Sequence, residues 1–387
     1  MDFSLDDEQR AIRDTARTFL RNEVMPLEQE VLRRERANGP ALELAELREL
    51  QAKARSFGFW GLSTPQEYGG MDLPAVTQSL IWTEIGRSWV PFRFGGEADN
   101  ILFRASQEQR TEYLLPTVEG ERISCFAITE PDAGSDVANI SMTAKRNGDD
   151  WILNGEKTFI TNGNDADFTI VVAVTDPDTP VGAGGASAFL VDRSMGWTSR
   201  PIDTMGVYSP ASLVFEDVRV PGRNVLGELG QGFELGMQWI TKGRYIIPSH
   251  ALGIAERALQ MSIEYANTRT TFGRPIGHNQ AIQWMIADSE TELEAARALV
   301  LRAAWTVDQG REPRHAAALA KLYGAGMVNR VVDRAMQIHG GMGYTRELPI
   351  ERWYRQVRLF RIFEGTDEMQ RLIISRDLLR GYTKVGQ

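Results

Sequence analysis

Apolar positions recur at helical spacing in the first and last parts of the chain and at strand spacing in between. Up to about residue 122 the spacing predicts helices, and it is continuous in ALELAELRELQAKARSF (41–57). From about residue 236 onward it predicts long helices, and residues 281–310 contain neither proline nor an internal glycine. A helix of that length is typical of a helix bundle.

The central part of the chain has short apolar runs separated by glycine, proline and polar residues, which predicts strands. WILNGEKTFITNG (151–163) contains two such runs around Asn154-Gly155, a dipeptide that predicts a hairpin turn. Further strands are predicted in DFTIVVAVT (167–175), ASAFLVD (186–192) and SLVFEDVRV (212–220). The order of helices, strands and helices indicates an α+β multidomain protein rather than an alternating α/β sheet. The predicted domains are an N-terminal helical domain (1–122), a middle β domain (123–235) and a C-terminal helical bundle domain (236–387).

Composition narrows the class of protein without naming a reaction. Hydrophobic residues make up 42% and charged residues 25% of the chain, as in soluble globular proteins. No apolar run approaches the roughly 20 residues that span a bilayer, and MDFSLDDEQRAIRDTARTFL lacks the apolar core of a signal peptide and carries early acids. We therefore expect a cytoplasmic protein with no membrane partner.

Cysteine, histidine and net charge exclude further classes. A single cysteine, Cys125, cannot form an intrachain disulfide and suits a reducing compartment. With only four histidines beside it, no metal-ligand cluster stands out, and we predict no metal site. The net charge of −9 argues against non-specific nucleic-acid binding, which needs a basic face.

Two motifs in the β region carry candidate chemistry. In FAITEPDAGSDVAN (126–139), small and hydroxyl residues on a turn allow backbone N–H groups to approach an anion or a heterocycle, although an ordinary polar loop has the same composition. The loop contains neither GxGxxG nor GxxxxGK[ST]. In EKTFITNG (156–163), strand alternation places Phe159 and Thr161 on one face, where they can cover a flat ring and donate a hydrogen bond to it. Phe159 as a core residue is the alternative.

Two motifs in the C-terminal helical region contain glycines and arginines. NTRTTFGRPIGHNQ (267–280) offers Arg269 and Arg274, which can bind phosphates or form surface ion pairs. In QIHGGMGYTRELPIERWYRQ (337–356), glycines interrupt a helical pattern, either for close approach of a ligand or for a plain helix-ending turn.

The segment RLFRIFEGTDEMQR (358–371) places one carboxylate, Glu364, at the end of an apolar run. An acid in that position is either a solvated residue at an element boundary or a base held in a dry site.

Together, in this order and over about residues 3–382, these motifs resemble the flavin-dependent acyl-CoA dehydrogenases. The stretch ITEPDAGSD, the QIHGGMGY segment and the terminal FEGT are specific in combination. The resemblance implies an N-terminal helical domain, a middle β-barrel-like domain and a C-terminal four-helix bundle. It also implies FAD as cofactor, an acyl-CoA substrate, an electron-transfer flavoprotein as partner, a role in fatty acid or carboxylic acid catabolism, and a homotetramer built as a dimer of dimers.

The resemblance assigns most of the motif residues to the cofactor. The residues expected to bind FAD within one subunit are Phe126, Thr129, Ser135, Phe159, Ile160, Thr161, Thr366 and Glu368. The residues expected to reach the FAD of a neighbouring subunit are Arg269, Phe272, Gln280, Gln337, Gly340 and Gly341. Glu368 stands where the family has glutamine. The residues expected at the substrate are Ser135, Arg244 and Gly365, and those expected to shape its pocket are Trp89, Phe92 and Phe94 in a helical region around 85–105.

By the same resemblance Glu364 is the catalytic base, which removes the α-proton of an acyl thioester while the β-hydrogen leaves as hydride to flavin N5. Burial in an apolar pocket raises the pKa of a carboxylate and makes it a stronger base. Some family members carry the base on the helix just before the Arg244 position, where this chain has Gly243. Glu364 is therefore the expected sole base.

Three alternatives keep the fold but change the role. The protein can act as an enoyl-CoA reductase of the carnitine-derived type, as an oxidase, or as a non-catalytic binding or assembly homologue. The oxidases commonly have an additional C-terminal helical domain, which this chain lacks, and intact flavin motifs with Glu364 argue against loss of catalysis.

Overall fold

The computed structural model of the chain describes residues 5–207 and 209–385. Their backbone forms two compact units. The helical unit consists of Met1–Phe59, Leu73–Phe94 and Thr241–Gln387, and the sheet unit of Trp60–Asp72 and Gly95–Ile240. The helices that precede the strands are thus shared between the two units.

Eleven α-helices run through the described residues, and they begin where caps or prolines favour a start. Asp6 forms a capping box with Gln9 at the first helix, and Thr366 caps the last. The helices are α1 Asp7–Phe19, α2 Glu28–Arg36, α3 Leu44–Ser56, α4 Ala75–Gly86, α5 Gln107–Gln109, α6 Leu115–Val118, α7 Gly232–Thr268, α8 Gln280–Asp308, α9 Arg314–His339, α10 Ile350–Val357 and α11 Asp367–Leu379.

In the helical unit, α9 packs along α8, α10 and α11. Small residues on α9, among them Ala317, Gly324 and Ala325, are buried and allow close approach of its neighbours. The predicted helices at 41–57 and 281–310 are confirmed as α3 and α8. This packing places the residues that follow α10 against α7 and α9.

The sheet unit contains one eight-stranded sheet in the order β6-β7-β3-β2-β4-β5-β8, with β1 paired in parallel to β4. The strands are β1 Ser124–Ala127, β2 Thr143–Asn147, β3 Asp150–Ile160, β4 Phe168–Val174, β5 Ala186–Asp192, β6 Thr198–Pro201, β7 Ala211–Pro221 and β8 Val225–Leu226, while β9 Thr270–Thr271 and β10 Arg274–Pro275 form a separate two-stranded hairpin in the helical unit. The three strands predicted between 167 and 220 are confirmed.

Both faces of the sheet are buried. Ile170 and Val172 of β4 belong to one cluster together with Tyr113 and neighbouring helical residues, whereas Val171 between them belongs to a second cluster with residues of β2, β3, β5 and β7. Successive residues along the strand thus contribute to two different cores, as expected for a sheet covered on both sides.

The hairpin predicted at Asn154-Gly155 is wrong. β3 continues through both residues from Asp150 to Ile160, and its pairing with β7 shifts register between Leu153 and Gly155. Gly155 has φ +146°, and a Cβ there would lie 2.8 Å from the Met142 side chain. The dipeptide therefore marks a β-bulge, where glycine relieves a close approach, rather than a turn.

Within residues 5–207 and 209–385, no helix is both long and apolar enough to cross a lipid bilayer. The same part of the chain contains no group of three or more His, Cys, Asp or Glu side chains placed to hold a metal ion.

Candidate active site

Glu364 lies in a short turn between a 3-10 segment, Arg358–Arg361, and α11. Its backbone is left-handed at φ +53°, and Gly365 follows at φ +85°. A non-glycine residue in this conformation is uncommon and costs roughly 1 kcal/mol or more. Thr366 ends the turn by accepting a hydrogen bond from the Met369 N–H, which starts α11. The chain thus holds Glu364 in a fixed and strained position.

One oxygen of the Glu364 carboxylate is buried in the helical unit, although the residue as a whole is half-buried. Oε2 is buried and has no hydrogen-bond partner among the described residues. A Cβ at Gly243 of α7 would lie 2.7 Å from Oε2, so the glycine leaves the space that the carboxylate occupies. Burial raises the pKa of Glu364 to about 7, although the charges of Arg244 and Lys321 oppose the rise. A carboxylate with that pKa is a suitable proton acceptor near neutral pH.

Gly243→Ala is expected to lower the rate of any reaction that uses Glu364 by about 100-fold, because the new methyl group displaces the carboxylate and small misplacements of a base are costly. Far-UV circular dichroism and the melting temperature should change little, since alanine favours a helix. Gly326→Ala on α9 is the control, because the nearest atom to its new Cβ is the end of the flexible Arg330 side chain. Equal activity of Gly243→Ala and the control would contradict the placement of Glu364.

Three side chains donate to the backbone of the Glu364 turn. Arg244 Nε donates to the Glu364 carbonyl at 3.4 Å, and Gln370 Nε2 donates to the carbonyls of Glu364 and Gly365 at 3.2 and 2.9 Å. Lys321 Nζ of α9 donates to the Gly365 carbonyl at 2.7 Å. Arg244 was predicted from sequence as a substrate residue, whereas Lys321 and Gln370 were missed. Both lie in ordinary helical patterns, and no local signal distinguishes them.

In the sheet unit, the loop after β1 is fixed by a buried ion pair. Lys157 of β3 is fully buried, and its Nζ donates to Glu130 Oε1 at 2.7 Å and to the Ile128 carbonyl at 3.0 Å. Glu130 also accepts from the backbone N–H groups of Ser141 and Met142, and the Thr129 carbonyl accepts from the Thr158 N–H. The motifs of residues 126–139 and 156–163 are therefore held together. Sequence reasoning missed this pair, because neither residue was singled out.

The predicted flavin residues of β3 are placed differently from a regular strand. Phe159 is left-handed at φ +58° and 62% exposed, so the alternative that it is a core residue is wrong. Its pairing with β7 is irregular between Lys157 and Ile160, and Thr161 lies in the turn beyond the strand. Strand alternation consequently does not explain their placement. Both side chains are exposed, whereas Ile160 is buried.

The other predicted residues near this loop divide by exposure. Ser135 is exposed, and its neighbour Gly134 has no atom within 4 Å of an added Cβ. Phe126 is buried and stacks on Trp239, with ring centroids 4.6 Å apart. In the helical unit, Thr366 is half-buried as the cap of α11, whereas Glu368 is exposed in the first turn of that helix.

The structure brings the two glycine-containing motifs of the helical unit to one end of the bundle. Tyr265 stacks on His339 at 4.5 Å between centroids, and Ala266, Ile276 and Ile338 form a small buried cluster there. Phe272 is fully exposed at the tip of the β9–β10 hairpin. The residues of these motifs with exposed side chains or backbone are Arg269, Phe272, Gln280, Gln337, Gly340 and Gly341.

The glycines that follow α9 have different roles. Gly340 has φ +55° and, like Gly341, has no atom within 4 Å of an added Cβ. A Cβ at Gly343 would instead lie 2.7 Å from the Met336 carbonyl, so this glycine serves the end of the helix.

Only the two ends of the region around 85–105 are helical. Helix α4 ends at Gly86, and the next helical turn begins at Asn100. Trp89 packs on Trp353, and its Nε1 donates to the Glu28 carbonyl, while Phe92 and Phe94 are buried in an aromatic cluster with Phe19. The three aromatic side chains are buried in the core of the helical unit.

The two units provide different chemical groups. The helical unit supplies the Glu364 carboxylate, whose pKa is near neutrality. The backbone carbonyls of Glu364 and Gly365 in the same turn accept hydrogen bonds from side chains. The sheet unit supplies an exposed aromatic ring, hydroxyl groups and open backbone positions on a rigid loop. The first can accept a proton from carbon, and the second suits contact with a flat ring and phosphates.

Family models match most of the chain. They are described as acyl-CoA dehydrogenase, N-terminal domain (residues 6–121), middle domain (125–218) and C-terminal domain (230–379).

Several named proteins are similar to the chain over nearly its full length. The chain is 38% identical over 97% of its length to a 3-(aryl)acrylate reductase of Clostridium sporogenes, of which 99% is covered. It is 37% identical over 98% of its length to the mitochondrial short-chain specific acyl-CoA dehydrogenase of Bos taurus, of which 92% is covered. It is 36% identical over 97% of its length to subunit CarC of the caffeyl-CoA reductase-Etf complex of Acetobacterium woodii, of which 99% is covered.

Solved structures show the same fold. The butyryl-CoA dehydrogenase of Megasphaera elsdenii is 33% identical, with a TM-score of 0.86, covering 98% of this chain and all of the other. The FAD complex of PigA is 30% identical, with a TM-score of 0.87 and the same coverage.

Proposed function

Because this chain belongs to the acyl-CoA dehydrogenase family, we propose that it interconverts an acyl-CoA thioester and its trans-2-enoyl-CoA, with Glu364 as the base. It has the three-part fold of that family, and it is an oxidoreductase and a flavoprotein whose cofactor is FAD. The observation that carries the proposal is the Glu364 carboxylate, buried beside Gly243 with its pKa raised to about 7 by burial.

In the dehydrogenation direction, Glu364 accepts the α-proton of the thioester as the C–H bond breaks, and the electron pair forms the α,β double bond. The bound flavin supplies a two-electron acceptor for the hydride that leaves the β-carbon. The left-handed turn and the donors to its carbonyls fix the backbone from which the carboxylate projects. Arg244 and Gly365 are proposed to lie beside the thioester.

Features of each unit fit FAD. On the sheet unit, we propose that Thr129, Phe159, Ile160 and Thr161 contact the ring, that Phe126 supports this contact from the core, and that Ser135 contacts the pyrophosphate. The open backbone at Gly134, with no atom within 4 Å of an added Cβ, leaves room for that approach. Thr366 and Glu368 are proposed to lie near the nucleotide.

The exposed end of the helical bundle is proposed to reach the FAD of a second copy in a homotetramer. The Phe272 ring is fully exposed, and Arg269 forms no ion pair among residues 5–207 and 209–385, so both side chains are available to a second copy. Gln280, Gln337, Gly340 and Gly341 share this surface. We also propose that the three domains meet at 122/123 and at 235/236. We further propose a cytoplasmic location.

Arg269→Ala is expected to lower FAD content at least threefold and to shift the sedimentation profile toward smaller species, because the arginine supplies charge to phosphate groups across the proposed contact. Absorbance at the flavin band and analytical ultracentrifugation measure the two effects. Arg302→Ala on α8 controls for loss of an arginine. Unchanged flavin content and sedimentation would contradict the proposed contact.

We further propose that electrons pass to or from an electron-transfer flavoprotein, since CarC, a relative over nearly the whole chain, belongs to a complex with Etf. A catabolic role follows if the direction is dehydrogenation.

The reductase direction is the second candidate, and it is favoured by the 38% identity to a 3-(aryl)acrylate reductase. The two directions are separated by supplying saturated acyl-CoAs with an oxidised acceptor, and enoyl-CoAs and aryl-acrylyl-CoAs with a reduced one, and then quantifying products. Faster turnover of saturated substrates supports the dehydrogenase. Turnover of neither class would overturn the proposed function.

A further inference from the structure

Lys321 is a buried cation without a carboxylate partner. It lies in the middle of α9 and is fully buried, yet within residues 5–207 and 209–385 no carboxylate oxygen lies within 4.0 Å of its Nζ. Lysine is almost never fully buried unless it is paired, because desolvation of the ammonium group is costly. Its contact is instead the Gly365 carbonyl at 2.7 Å. The desolvation cost of burying Lys321 indicates that its hydrogen bond to the Gly365 carbonyl has a role.

Gln370 acts on the same turn from α11. It is fully buried, and its Nε2 donates to the carbonyls of both Glu364 and Gly365. A Cβ at Gly365 would lie 2.7 Å from that nitrogen, so glycine is needed for the donor to reach both oxygens. With Arg244 of α7, side chains from three helices therefore donate to the carbonyls of two successive left-handed residues.

We propose that Lys321 is a positioning residue for Glu364: with Gln370 it holds the carbonyl oxygens of the Glu364–Gly365 turn and so fixes the carboxylate over Gly243. This inference rests on the proposed function for its catalytic consequence. The strained turn would relax toward commoner backbone conformations without these donors, and the carboxylate at its apex would move with it. Lys321 does not itself touch the reacting atoms.

Lys321 also affects the charge of the base. The charged groups that act on Glu364 and Lys321 are Arg244 from α7 and Asp367 and Glu368 from the start of α11, and Asp367 is itself paired with Arg361. Burial lowers the pKa of Lys321 to about 8, against the opposing effect of Asp367 and Glu364, so it is charged at pH 7. Its charge favours the ionised form of Glu364. Removing it raises the pKa of Glu364.

The test separates position from charge. Lys321→Met removes the donor and the charge, Lys321→Gln removes the charge but retains a shorter neutral donor, and Gln370→Met removes a donor but no charge. Infrared difference spectra of the flavin-loaded protein at different pH values report the Glu364 carboxyl, whose band Glu364→Gln identifies. The pH profile of kcat/KM is measured in parallel. Arg330→Met, about 13 Å further along α9, controls for loss of a cation from the same helix.

We expect the titration midpoint of Glu364 to rise by about one unit in both Lys321 variants and to stay within about 0.3 units in Gln370→Met and Arg330→Met. At pH 7 the ionised fraction then falls about fivefold. At alkaline pH, where that loss disappears, Lys321→Met and Gln370→Met should still react about tenfold more slowly than the wild type. In the wild type at alkaline pH, the neutral amine of Lys321 still donates to the Gly365 carbonyl, so the Glu364 carboxylate keeps its position.

Unchanged midpoints in the Lys321 variants together with wild-type alkaline rates would overturn the inference. If Lys321→Met does not fold, Lys321→Gln and Gln370→Met test the inference without it. A Lys321→Gln protein with no midpoint shift, together with a Gln370→Met protein with no loss of rate, would equally overturn the inference. The infrared titration needs no acyl-CoA. If the Lys321 variants show the expected midpoint shifts but the wild type reacts with no acyl-CoA, the proposed function is contradicted, while the effect of Lys321 on the Glu364 carboxylate stays supported.

Discussion

Glu364→Gln is expected to lower the rate of flavin reduction by acyl-CoA by about 10³-fold while FAD content and melting temperature remain those of the wild type. Glutamine has the same shape and fits the space beside Gly243, but it cannot accept the α-proton. The folded protein should tolerate the change, because Oε2 of Glu364 has no hydrogen-bond partner among the described residues that the amide would lose. Stopped-flow absorbance at the flavin band measures the rate.

Glu290→Gln on the exposed face of α8 is the matched control, and it should react like the wild type. A Glu364→Gln protein that loses its flavin as well would indicate a structural role for the carboxylate. One that retains flavin and reduces it at more than about a tenth of the wild-type rate would remove Glu364 from the role of base.

Lys157→Met is expected to destabilise the protein by about 3–5 kcal/mol, because it leaves the buried Glu130 carboxylate without its cation. Burial by itself raises the pKa of Glu130, but the charge of Lys157 and hydrogen bonds from Lys157, Ser141 and Met142 outweigh it and hold the pKa below the ordinary value. A methionine at position 157 supplies neither the charge nor the hydrogen bond that Lys157 gives to Glu130. The melting temperature should fall by about 5 °C, and FAD should dissociate more readily, since Thr129 and Phe159 flank the pair.

Two variants test that explanation. Lys145→Met, an exposed lysine on the neighbouring strand β2, should leave the melting temperature within about 1 °C. The double variant Lys157→Met/Glu130→Gln should recover part of the loss, since no uncompensated charge remains buried. A Lys157→Met protein as stable as Lys145→Met would show that the pair contributes nothing to the rigidity of the loop.

Features encoded by local spacing were predictable from the sequence. The long helix α8 and strands β4, β5 and β7 follow from apolar periodicity over many residues, and the order of helices and strands gives the class of fold. Glu364 was found because an acid ends an apolar run before a glycine. Its proposed role as base rests on the resemblance to a family, since the same pattern occurs at ordinary element boundaries.

Features that depend on tertiary contacts were not predictable. Asn154-Gly155 has the composition of a hairpin turn, but pairing with β7 on one side and the close Met142 side chain on the other make it a bulge in one long strand. The backbone of Phe159 and Glu364 is left-handed, although neither residue type favours that conformation. Sequence patterns also do not identify Lys321, Gln370 or the Lys157–Glu130 pair. Only the folded chain shows which carbonyl and carboxylate groups these side chains contact.

The central claim, that this flavoprotein oxidises or forms acyl-CoA thioesters with Glu364 as the base, is tested most directly by anaerobic titration. The purified protein is mixed, one at a time, with a panel of short, branched, medium and aromatic acyl-CoAs, and the flavin band is followed, with Glu364→Gln in parallel. We predict that at least one member bleaches the wild-type flavin within seconds and yields the enoyl-CoA, while the variant stays yellow. A wild type bleached by dithionite but by no acyl-CoA, and whose reduced flavin no enoyl-CoA reoxidises, would contradict the account.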